Sequence, residues 1–149
     1  MRRALKYLAV GLTVIVGLFL LMQVVPYGRT HSNPPTIVEP AWDSPRTRAL
    51  AVRACFDCHS NQTRWPWYAD LAPFSWVVQF DVETARTVLN FSEWNRRYAL
   101  SVYAGRRTSN GMMPPVKYLA AHPEAVLTPE ERADLARGLE ASIGAPNQD

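Results

Sequence analysis

Charge disappears from the chain between Lys6 and Arg29, and the stretch from Tyr7 to Gly28 is built mainly of Leu, Val, Ile, Ala and Phe. At about 1.5 Å of helical rise per residue, roughly 20 such residues give about 30 Å, the thickness of a bilayer's hydrocarbon core. The pattern predicts a membrane-spanning signal anchor over residues 4–25. A cleaved secretory signal has a shorter apolar region, about 7–15 residues, followed by a small-x-small site. Here the run ends Gln23-Val24-Val25-Pro26-Tyr27, without such a site. Cleavage and a buried soluble helix are the competing readings.

Beyond the anchor the pattern changes. Pro26, Pro34, Pro35 and Pro40 lie among polar residues, which predicts an extended linker over 26–41 that holds a domain off the membrane. The domain itself is expected over 42–146. Ser44-Pro45 reads as an N-cap followed by proline at the first helical position, opening a helix to Ala54. Residues 60–74, punctuated by Pro66 and Pro73, read as an ordered loop with one short turn. Trp76, Val77, Phe80, Thr84 and Val88 recur at three- and four-residue spacing and predict a helix from Ser75 to Leu89.

Ser92 can cap a further helix from Glu93 to about Arg106. The segment Thr108-Ser109-Asn110-Gly111 then breaks regular structure, and Pro114-Pro115 disfavours helix at Met113, leaving it in a loop. A short helix is expected over 116–121. The last begins at Thr128-Pro129-Glu130-Glu131, a capping box, with Leu135, Leu139 and Ile143 as its apolar face. No alternation of apolar and polar positions predicts strands, and the fold class read from the pattern is all-α.

With 149 residues, 48% of them apolar, there is material for one core and a short appendage. Arg2, Arg3 and Lys6 precede the anchor and only Arg29 follows closely, which keeps the N-terminus in the cytoplasm and exports the rest. From His31 onward twelve basic residues face thirteen acidic ones, so the overall charge of +3 comes from the first 30 residues. A nucleic-acid partner is not indicated, since positive charge would then concentrate on the folded part.

Both cysteines of the chain lie in Cys55-Phe56-Asp57-Cys58-His59, the C-x-x-C-H pattern of c-type haem attachment. Two thiols at this spacing can add to the two vinyl groups on one edge of a porphyrin while the adjacent histidine reaches the iron. Bacterial haem attachment to this motif takes place outside the cytoplasm, which agrees with the orientation of the anchor. A zinc site would need about four ligands, and only His31, His122 or a carboxylate remains to complete one. A dithiol redox motif would be expected near a βαβ pattern, and none is present.

The second axial position has several candidates. Methionine sulfur is the usual ligand in electron-carrying cytochromes c, and Met112-Met113-Pro114-Pro115 offers two. The proline pair favours Met113; Met112, His122 and the absence of a strong protein ligand remain open. His122 precedes Pro123 and reads more simply as a helix end, and His31 as a solvated linker residue. Trp65, Trp67, Tyr68, Trp76 and Trp94 fit either a haem crevice or an ordinary core. Arg96-Arg97 and Arg106-Arg107 fit haem propionates, an acidic partner or simply a solvated face.

From Cys55 to Leu127 the chain resembles the bacterial haem-binding domain family of single-haem, cytochrome-c-like proteins. The likeness rests on Cys55-Phe56-Asp57-Cys58-His59-Ser60-Asn61-Gln62-Thr63, Pro66-Trp67-Tyr68, Ala72-Pro73, Ser75-Trp76, Asp81-Val82, Arg86, Leu89-Asn90-Phe91-Ser92 and Trp94. It continues through Met113-Pro114-Pro115, Tyr118, His122-Pro123 and Leu127, with Ala85 where glycine would be expected. The resemblance implies one covalent haem c, with His59 as proximal and Met113 as distal iron ligand, on a cytochrome-c-like domain.

These readings together anticipate a single-pass protein of the bacterial inner membrane with its haem domain in the periplasm. It would be an electron carrier rather than a catalyst, exchanging single electrons with a redox partner protein. A haem-based sensor with an exchangeable distal ligand is the alternative from another class. A peroxidase-like enzyme is disfavoured, because no distal acid/base pair is apparent.

Overall fold

In the computed structural model, residues 2–144 are described, and they divide into two compact units. The expected end of the haem domain at residue 146 lies outside the described residues. The first unit comprises the chain up to His31 together with Trp65–Phe80. Its long helix, α1 (Arg2–Met22), has no buried residue. Among the described residues it is the one helix long and apolar enough to cross a membrane, a property that a signal sequence shares.

Just beyond α1, the Gln23 carboxamide donates to the Ala72 carbonyl at 2.9 Å and accepts from the Ala72 N–H at 3.0 Å, replacing bonds the exposed peptide would make to water. His31, expected to be solvated, stacks on Trp65 with centroids 4.7 Å apart and meets the Ala69 carbonyl at 3.3 Å.

The second unit, Ser32–Arg64 with the chain from Asp81 onward, holds the principal core. The expected spacer turns at Pro26–Arg29, and residues 32–40, which form no helix, are not free. Ile37 donates to the Ser92 carbonyl, Trp94 donates to the Val38 carbonyl at 2.9 Å, and Asn33 Nδ2 donates to the Thr63 carbonyl at 2.8 Å. Val38 and Glu93 form an isolated parallel bridge.

Helix α2 (Pro45–Ala54) opens as the sequence predicts, with the Ser44 side chain accepting from the Thr47 N–H and proline at the first position. It passes directly into the single turn α3 (Phe56–His59). Trp67–Asp70 is the short turn expected in the following loop. Helix α4 (Phe74–Val88) starts one residue before the expected position.

The helix expected from Glu93 to Arg106 does not form. Trp94 is drawn to Val38 by the bridge, Glu93 accepts from Asn61 Nδ2, and regular structure resumes only at Ser101–Tyr103 and α5 (Ala104–Ser109). A tertiary pairing here overrides a local propensity worth only a few tenths of a kcal/mol per residue. The short turn α6 (Val116–Leu119) and the last helix α7 (Pro129–Ile143) follow, the latter with both arms of its capping box in place.

Helix α7 packs on α2 and α5. Close approach is possible because a methyl group at Gly138 would collide with the Thr47 side chain, and one at Gly105 with α7. Leu50, Ala51 and Ala54 of α2 meet Leu135, Leu139 and Ile143 of α7, and Phe56 stacks on Phe91 with centroids 5.5 Å apart. Trp42 and Trp94 pack against this cluster. The architecture is all-helical, and its core lies directly beneath the Cys55–His59 pentapeptide.

Candidate functional site

Helix α2 carries the chain to Cys55, whose N–H donates to the Ala51 carbonyl at 2.8 Å, and the Cys55 carbonyl in turn accepts from His59 at 2.9 Å. The next turn is fixed from below by Phe56, which is fully buried in the core. Cys55 and Cys58 stand three residues apart around this turn, half-buried, with free thiols. Burial, then the neighbouring Cys58, pushes the Cys55 thiol up to about 12. Burial, then the nearby Asp81, pushes Cys58 up to about 11. Both are neutral thiols near pH 7, unlike the acidic cysteine of a dithiol redox centre.

His59 is held through one ring nitrogen. Nδ1 lies 2.9 Å from the Leu89 carbonyl oxygen, which can only accept, so Nδ1 carries the proton and Nε2 keeps its lone pair. Burial holds the imidazole below its usual pKa and therefore neutral, against smaller opposing effects from the carbonyls of Leu89 and Ala85. The His59 carbonyl accepts from Phe91 N–H at 2.8 Å.

The segments 59–63 and 89–93 are stitched together beyond this point. Asn61 donates its N–H to Ser92 Oγ (2.9 Å), and Asn90 donates its amide to Asn61 Oδ1 (2.8 Å). Ser92 N–H donates to Asn90 Oδ1 at 2.9 Å. Arg86 reaches back from α4 to the Ser60 carbonyl (2.8 Å) and Thr63 Oγ1 (2.9 Å). Asn61, Asn90 and Ser92 are all buried, so each of these bonds satisfies a group that water cannot reach.

Asp57, between the two cysteines, is 6% exposed and ionised. Burial alone would raise its pKa, and the hydrogen bonds from Arg64 and Tyr118 more than reverse this, leaving it below the ordinary range. Arg64 contributes its backbone N–H (3.1 Å), Nε (3.1 Å) and Nη2 (3.0 Å), and Tyr118 its hydroxyl (2.7 Å). Burial and the bond to Asp57 hold the Tyr118 phenol well above its usual pKa.

The Met113 loop is half-buried and tied at both backbone ends of that residue. Met113 N–H donates to the Arg107 carbonyl (3.0 Å), and its own carbonyl accepts from Arg132 Nη1 of α7 (3.3 Å). Met112 is 57% exposed. It lines an open hollow of about 270 Å³ with Leu100, Tyr103, Arg106, Arg107 and Asn110. His122 stacks on Tyr118 with centroids 4.2 Å apart and places Nδ1 3.2 Å from Glu124 Oε1.

The structure thus gathers Cys55, Cys58 and His59 on a single turn and ties the Met113 segment to that turn through Tyr118 and Asp57. Met112 lines the open hollow instead, and His122 stacks on Tyr118 of this link. Of the tryptophans weighed as haem neighbours, Trp94 packs on the core beside Tyr98 and Trp67 is exposed. Sequence reasoning missed Asp57, Arg64 and the Leu89 carbonyl as supports of the site. The visible signal for the first was an acidic residue placed between the two cysteines, and a backbone carbonyl leaves none.

The family model described as a haem-binding domain matches residues 17–141, most of the chain and all of the residues just described. Among curated proteins and among solved structures, nothing matches.

Proposed function

The chain belongs to the haem-binding domain family, and on that premise we propose that it binds one haem covalently through Cys55 and Cys58, with His59 and Met113 as axial ligands, and transfers single electrons. The observation that carries this reading is the Nδ1 bond of His59 to the Leu89 carbonyl, which commits one nitrogen and leaves Nε2 as a fixed, neutral donor. Two free thiols on the same turn match the two vinyl groups of the porphyrin. Cys55 and Cys58 would hold the porphyrin through two thioether bonds, each thiol supplying its sulfur to one vinyl carbon and its hydrogen to the other. Iron, when bound, supplies the one-electron Fe(III)/Fe(II) couple.

The chain's own groups do the rest. His59, held by the Leu89 carbonyl, supplies a strong nitrogen donor on one side. Met113, whose backbone is fixed by Arg107 and Arg132, offers the thioether that favours Fe(II) and raises the potential. If His59 and Met113 both held the iron, no coordination site would be left for substrate, and the work would be electron transfer to a partner protein. A zinc centre would need about four ligands, and Cys55, Cys58 and His59 would supply three of them.

Helix α1 would anchor the protein in the bacterial inner membrane, with the basic residues Arg2, Arg3 and Lys6 on the cytoplasmic side and the haem domain in the periplasm. The test is expression of the full chain with haem-maturation machinery, followed by a haem-stained denaturing gel and reduced-minus-oxidised spectra with and without carbon monoxide. Covalent haem that ignores carbon monoxide is expected for the native chain, and carbon monoxide binding is expected for Met113→Ala. Replacing Cys55 and Cys58 by Ala removes haem from the gel. Covalent haem that binds carbon monoxide in the native chain would replace the electron-carrier reading with that of a ligand sensor.

A further inference from the structure

We propose that the hydrogen bond from Tyr118 to Asp57 is the strut that sets how Met113 meets the iron, making Tyr118 a positioning residue for the distal ligand. This rests on the reading of Met113 as that ligand. Asp57 lies inside the attachment pentapeptide, between the two thiols, so the position of its carboxylate is tied to that of the porphyrin edge. Arg64 clamps it with its backbone N–H, Nε and Nη2 at 3.0–3.1 Å, leaving a rigid acceptor for one further donor.

That donor is Tyr118, at 2.7 Å, the length of a charge-assisted bond. Tyr118 sits in α6, the turn that follows Met113-Pro114-Pro115 directly. Its own N–H donates to the Pro115 carbonyl at 2.9 Å, so a fixed Tyr118 fixes the start of the turn and the proline pair that carries Met113. The other anchors of the loop lead elsewhere. Met113 N–H goes to Arg107, its carbonyl to Arg132 of α7, and Lys117 to Asp81 of α4 at 2.8 Å. The Tyr118 hydroxyl joins the loop to the pentapeptide, and the ring of His122 stacks on that of Tyr118.

A loop held against its iron by such a strut should release its sulfur more readily when the strut is cut. In the haem-loaded full chain, Tyr118→Phe removes one oxygen and little volume. Carbon monoxide affinity of the reduced protein should rise roughly ten-fold, the equivalent of one charge-assisted hydrogen bond, and the reduction potential should fall as methionine ligation weakens. Asp57→Asn keeps an acceptor for the hydroxyl but removes the charge, and should produce a smaller rise. In Met113→Ala, which sets the upper limit, adding Tyr118→Phe should change nothing further, an epistasis that a merely structural role would not produce.

If Met113→Ala binds carbon monoxide while Tyr118→Phe and Asp57→Asn both behave as the native chain, the strut is wrong and methionine ligation stands. If Met113→Ala itself matches the native chain, the reading of Met113 fails, whatever Tyr118 does. If Tyr118→Phe fails to take up haem, Asp57→Asn decides: an unchanged affinity there overturns the strut, and a raised one supports it.

Discussion

The two sides of the proposed haem site are built differently. On the His59 side, the ring, the backbone carbonyl and the following residues are held by bonds among buried groups, with Phe91 and Phe56 stacked underneath. On the Met113 side, the loop is held by two backbone contacts and by Tyr118, and its neighbour Met112 stands in the open. Buried polar groups must be satisfied or the fold fails, so the histidine side is inseparable from the stability of the domain. On the proposed function, the methionine side should tolerate change while the domain remains folded, so that the distal side could be adjusted independently.

The largest effect that would break or uphold this contrast comes from Phe91→Ala. It opens a cavity beside Phe56 and Trp42 and should cost about 3–5 kcal/mol in denaturant unfolding. Asn61→Ala comes next, leaving the Asn90 amide without its acceptor in a buried site, with an expected cost of about 1–3 kcal/mol. On the opposite side, Arg132→Met removes the bonds to the Thr108 and Met113 carbonyls. It should cost only about 1 kcal/mol while weakening the methionine–iron absorption of the oxidised protein. If Arg132→Met destabilised the fold as much as Phe91→Ala, the two sides would not be separable.

The smallest effect lies away from both sides and serves as a reference. The hydrogen bond from Arg53, then that from the Thr128 backbone, lowers the Glu131 carboxyl to about 2. A carboxyl below its unfolded value of about 4.3 contributes stability that is present above that value and lost as the pH falls through about 2. Glu131→Gln should therefore be less stable than the native chain at neutral pH. The difference should vanish in strongly acidic solution, as urea unfolding at several pH values would show. A difference that persisted there would point to packing instead of charge.

What could be read along the chain was whatever depends on neighbours in sequence. Ser44-Pro45 and the Thr128-to-Glu131 box start helices through bonds spanning three residues, and both are in place. The apolar run of α1 and the Cys55–His59 pentapeptide are equally local. The failed helix from Glu93 and the spacer that packs against the domain share one cause. Val38 and Glu93 pair across more than 50 residues, and no periodicity reports such a partner.

The sequence by itself determined the helical class, the apolar N-terminal segment and the close spacing of Cys55, Cys58 and His59, because covalent spacing and helical period act within a few residues. Which nitrogen of His59 is free, which methionine stands in a tied loop, and that Asp57 and Tyr118 join that loop to the pentapeptide were decided only by tertiary structure. Those outcomes depend on burial, and burial makes a carbonyl or hydroxyl find whichever distant partner the packed core brings within about 3 Å.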